Sequence, residues 1–78
     1  MVQIGDAARL TGVPAKLIRY YESAGLLSPS RRQGNGYRIF DERNLHELRF
    51  IKRARTLGFP IKQIDLLLGL WRNKKRSS

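Results

Sequence analysis

"IGDAARLTGVPAKLIRYYESAG", residues 4–25, decides the fold. Ile4, Ala7 and Ala8 recur at helical spacing, which predicts a first helix over residues 5–10, opened by Gly5 or Asp6. Its two small alanines let another helix come close. Gly12 suits the left-handed residue that ends such a helix, and Pro14 is preorganised to begin the next. A second helix is expected over residues 15–24, stopped by Gly25. Two short helices joined by a tight Gly-containing turn are a helix-turn-helix candidate.

On that second helix Lys16, Arg19, Tyr20 and Ser23 fall at i, i+3, i+4 and i+7, so they share a face. Leu17, Ile18 and Tyr21 point the other way, towards the first helix. Taken alone, this is an amphipathic helix with a solvated basic edge. Composition shifts the balance. The 78 residues carry 16 Lys+Arg against 6 Asp+Glu, a net charge of +10. Such an excess on one small domain calls for a polyanionic partner, nucleic acid before an anionic membrane. The face then reads as groove-facing: Arg and Lys reach base edges and phosphates, and tyrosine hydroxyls donate to phosphate oxygens.

Downstream, "SPSRRQGNGYRIF", residues 28–40, holds Asn35-Gly36, a strong hairpin signal, followed by an alternating strand pattern. A small two-stranded wing is expected, with its tip at residues 33–36 and Arg31, Arg32 and Arg38 on it. Edge strands often carry positive charge to prevent strand pairing. Three arginines around one tip exceed that need and suit a ribbon lying along the phosphate backbone or minor groove.

Asp41 looks like the N-cap of a long helix reaching residue 57, ended by Gly58. Its spacing puts Phe50, Ile51, Ala54 and Leu57 on one side and Arg49, Lys52 and Arg53 on the other. After Pro60 a last helix shows the apolar stripe Ile64, Leu67, Leu68 and Trp71, and "RNKKRSS", residues 72–78, ends the chain. Residues 73–78 are expected to be a basic disordered tail. No linker divides the chain, so one domain over residues 1–72 is expected.

Catalysis is not expected. His46 is the lone histidine, there is no cysteine, and the six acids are scattered among caps and i,i+3 pairs such as Arg19/Glu22. No metal-ligand spacing, nucleophilic triad or phosphate loop is present. No apolar run approaches the roughly 20 residues of a membrane span and no signal-peptide pattern opens the chain, so a cytoplasmic protein is expected.

"IGDAARLTGV", "IRYYESAGLL", "NGYRIF" and "RFIKRARTLGF" together resemble the DNA-binding domain of the MerR family of transcription regulators over residues 2–72. "LLLGLWRNKKRSS" is most similar to its copper- and heavy-metal-responsive branch. The resemblance implies a mainly α fold: a winged helix-turn-helix with a small β-hairpin wing and a second helix pair. By position it makes Lys16, Arg19, Tyr20 and Tyr21 DNA contacts of the recognition helix. It likewise implies Arg32, Tyr37 and Arg38 on the wing, and Arg55 against phosphate. Tyr21, a core residue by spacing, would then keep its ring inside and offer its hydroxyl to DNA. Pro14 and Pro60 depart from the Ser or Thr usual at those positions. Without a side-chain acceptor these helix starts are expected to be weaker by about 1 kcal/mol each.

Family members continue into a long dimerising helix and then effector-binding residues, cysteines in the metal-responsive branch, and these 78 residues contain neither that helix nor a cysteine. The chain therefore reads as an isolated DNA-binding domain of a longer regulator, or alternatively as a natural short relative. The expected function is sequence-specific binding of a double-stranded promoter element, with RNA polymerase as the wider context. No cofactor is expected in this chain and no membrane partner. The intact regulator would be a homodimer, and this chain a monomer or weak dimer. The alternatives are an excisionase-like architectural factor, a protein-interaction adaptor, or charge-driven binding of RNA or anionic membrane.

Overall fold

The computed structural model describes residues 2–27, 31–32 and 38–76, with backbone alone for 31–32, 38 and 73–76. Its elements run α1 (Ile4–Thr11), α2 (Ala15–Ser23), β1 (Arg31–Arg32), β2 (Arg38–Ile39), α3 (Glu42–Thr56) and α4 (Ile61–Arg76).

The turn between α1 and α2 is held by both backbone and side chain. Gly12 takes φ 77 and its N–H donates to the Ala8 carbonyl at 2.8 Å, closing α1. A left-handed residue is needed here to turn the chain, and glycine adopts it without a Cβ penalty. Buried Thr11 donates its hydroxyl to the Ala7 carbonyl at 2.7 Å and accepts from the Val13 N–H at 3.3 Å. Pro14 then serves as the N-cap of α2 with no side-chain cap bond, as the sequence implied. Helix α1 starts at Ile4, a residue or two earlier than spacing suggested.

Helix α2 ends in a paired backbone closure: Leu26 N–H donates to Tyr21 O at 2.9 Å and Gly25 N–H to Glu22 O at 3.1 Å. The expected stops Gly12, Gly25 and Gly58 all have positive φ. Leu26 and Leu27 then drop into the core.

Strands β1 and β2 pair antiparallel, Arg31 opposite Ile39 and Arg32 opposite Arg38. Next to them Val2 bridges Phe40, with N–H to O distances of 2.9 and 2.7 Å. The proposed wing tip at 33–36 and Tyr37 lie outside the described residues. The described residues form a mainly helical domain with this short ladder.

Asp41 caps α3 as expected, accepting from the Asn44 N–H at 3.0 Å, while the Asp41 N–H donates to Asn44 Oδ1 at 3.2 Å. The core joins Ala7, Ile18 and Tyr21 from the first helix pair to Leu48, Ile51, Ile64 and Leu68 from the second, with Phe40 between them. The apolar face expected on α3 needs correction. Ile51 and Ala54 are buried, but Phe50 lies at the margin and Leu57 is 71% exposed. The inward stripe is Leu45, Leu48, Ile51 and Ala54, and it also contains Asn44 and Glu47. On α4, Ile64 and Leu68 are buried, while Leu67 and Trp71 sit at the edge.

Helix α4 runs on to Arg76. Lysine and arginine are good helix formers and favourable at the negative end of the helix dipole.

Candidate nucleic-acid interface

The outward face of α2 carries Lys16, Arg19, Tyr20 and Ser23, all exposed, with Tyr20 at 54%. The nine residues of α2 are too few to hold a helix by propensity alone. Ile18 and Tyr21, both buried, fix it on the core and so aim the opposite face outward. Tyr21 is only 5% exposed, its ring 5.8 Å from that of Tyr20. No described side-chain nitrogen or oxygen is both buried and without a partner, so the Tyr21 hydroxyl is not stranded in the core.

Among the described residues Lys16 and Arg19 have no ion-pair partner. The expected Arg19/Glu22 pair is not formed. That spacing is used on α1 instead, where Arg9 and Asp6 lie 2.6 Å apart. The cations of α2 are therefore available to an external anion.

The other predicted contacts fall in three places. Arg32 and Arg38 face each other across the β1–β2 ladder, their side chains outside the description, and Tyr37 lies outside it entirely. Arg55 is exposed at the end of α3 and donates Nη1 to the Phe59 carbonyl at 3.2 Å, a local bond that leaves its other N–H groups available. Nearby, Arg49, Lys52 and Arg53 line a recess of about 390 Å³ with Thr11 and Thr56, where Lys52 leans across Gly12.

Two features escaped the sequence reading. Leu17, assigned there to the core, is 41% exposed. Arg72, assigned to the chain end, donates Nε to Glu47 Oε2 at 3.0 Å and Nη2 to the Leu26 carbonyl. The second was foreshadowed by spacing: Ile64, Leu68 and Arg72 lie one turn apart, and Glu47 belongs to the buried stripe of α3. An acid and a base on facing inward stripes are natural partners. His46 stacks on Trp71 with ring centroids 5.3 Å apart, a packing role. Among the described residues no group of three potential metal ligands occurs, and no helix is long and apolar enough to cross a membrane.

Known proteins share this arrangement. Residues 2–70 match the family described as MerR HTH family regulatory protein. The transcriptional regulator HmrR of Sinorhizobium medicae is 49% identical over 77 residues, covering 99% of this chain and 52% of its own length. The chain thus spans about half the length of the curated relatives it matches. Among solved structures, the regulator PbrR691 of Ralstonia metallidurans in complex with lead(II) superposes with a TM-score of 0.84 at 35% identity, covering all of this chain and 60% of its own. HiNmlR, described as a MerR family regulator lacking the sensor domain and bound to promoter DNA, superposes with a TM-score of 0.81 at 26% identity, over 87% of this chain and 52% of its own. With the helix-turn-helix, the second helix pair and the family match spanning nearly its whole length, the chain belongs to the MerR family of helix-turn-helix regulatory proteins.

Proposed function

We propose that this chain binds double-stranded promoter DNA as the recognition module of a transcription regulator, with α2 in the major groove. The observation that carries the proposal is the outward face of α2, where Lys16, Arg19 and Tyr20 stand exposed on a helix anchored by Ile18 and Tyr21. Lys16 and Arg19 reach base edges or phosphate, and the Tyr20 and Tyr21 hydroxyls hold the register by donating to phosphate oxygens. Arg32, Tyr37 and Arg38 form a wing on the β1–β2 ladder that follows the backbone beside the helix, and Arg55 meets a further phosphate. The HiNmlR structure with promoter DNA supports this reading by analogy of fold. The lead(II) complex of PbrR691 supports placing the chain in the metal-responsive branch.

In this reading the module is cytoplasmic, has no enzymatic activity and needs no cofactor of its own. The full-length regulator pairs as a homodimer on a two-fold site with polymerase nearby. The relatives are named as transcriptional regulators, which gives the architectural-factor and adaptor readings no support.

An electrophoretic mobility shift across a salt series tests the proposal. Affinity for duplex should fall steeply as salt rises, because each neutralised phosphate releases counterions. Arg19→Ala should weaken binding by about 1–3 kcal/mol if the guanidinium reads a base. Salt-independent binding, no binding at low salt, or equal competition by RNA or anionic vesicles would overturn it.

A further inference from the structure

Leucine side chains exposed singly on a surface need no explanation in general. Leu17 differs in where it stands. It is the third residue of α2, the end of a recognition helix whose side chains enter a groove first. It is 41% exposed although the next residue, Ile18, is fully buried. Lys16 precedes it, and Tyr20 lies one turn on along the same exposed side. Ile18 and Tyr21 already supply the buried anchors of the helix, so the fold does not require an apolar residue at 17.

The major-groove edge of a base pair offers hydrogen-bond donors, acceptors and one apolar group, the 5-methyl of thymine. A leucine can neither donate nor accept. Against cytosine it would leave the N4 donor desolvated and unpaired, which is unfavourable. Against thymine it buries a methyl group. Building on the DNA-binding reading above, we propose that Leu17 is a specificity-determining residue that selects a thymine by contact with its 5-methyl group. Lys16 and Arg19 hold the helix at that depth.

The test begins with the 78-residue chain and a randomised duplex library. At each enriched thymine, deoxyuridine is substituted, which removes the methyl and leaves the pairing edge intact. Wild-type affinity should drop about fourfold at one position, the worth of one buried methyl group. Leu17→Ala should bind the thymine and uracil duplexes equally, with a cooperative melt that shows it folded and an unchanged dependence on salt. If no enriched position distinguishes thymine from uracil, or if Leu17→Ala still distinguishes them, the assignment of Leu17 is wrong while DNA recognition stands. If the library shows no enrichment at all, the DNA-recognition reading falls and takes this inference with it.

Discussion

Glu47 has 0% of its surface exposed, and its carboxylate pairs with the Arg72 guanidinium, which also donates to the Leu26 carbonyl. One arginine thereby ties α4 to α3 and to the chain leaving α2. Burying such a pair gains little over apolar packing, but removing one partner leaves the other charge desolvated with less to compensate it. Arg72→Ala should therefore cost about 3 kcal/mol in urea unfolding, the low end of the range for breaking a buried pair, since the guanidinium is partly exposed. Replacing both residues, Glu47→Met with Arg72→Leu, should cost clearly less than Arg72→Ala alone. A double variant at least as unstable as the single would refute that account. From sequence alone a cation near a basic chain end looks solvated until the acid that faces it is known.

At the scale of elements, α1 shows how glycines with opposite effects stand seven residues apart. Gly5 lies inside the helix, and a Cβ there would meet nothing within 4 Å. Gly5→Ala should raise stability by about 0.5–1 kcal/mol through helix propensity and reduced freedom of the unfolded chain. Gly12 has φ 77, and a Cβ there would run into the Lys52 side chain. Gly12→Ala should destabilise by about 1–2 kcal/mol from the left-handed backbone alone. Thermal melts of the two variants should move in opposite directions, and a shared direction would contradict the assigned backbone conformations. Because Gly12 sets the angle between α1 and α2, its substitution should also weaken DNA binding, whereas Gly5→Ala should not.

For the whole molecule, a net charge of +10 on 78 residues means that folding gathers cations without enough acids to pair them. Self-repulsion opposes compaction, and it is screened by salt. Rising salt between about 20 and 200 mM should raise the melting temperature while lowering duplex affinity over the same interval. A melting temperature that falls with salt would show that attractive pairs outweigh repulsion among Arg49, Lys52, Arg53 and their neighbours.

Much of this was legible in the sequence. Gly12, Pro14, Gly25, Asp41 and Gly58 act on the backbone within a few residues of themselves, so local chemistry set the helix-turn-helix and the helix ends. The face Lys16, Arg19, Tyr20 was likewise a matter of helical period. Local period was insufficient wherever burial depended on what lies opposite. Leu57 and Leu17 are apolar on helices whose neighbours leave them uncovered, and Glu47 and Arg72 are charged on helices whose neighbours enclose them. The sequence by itself determined which segments are helical and which helix face is cationic. Only the packing of α3 and α4 against the first helix pair decided which side chains are withdrawn from water, because burial belongs to pairs of surfaces and is encoded in neither alone.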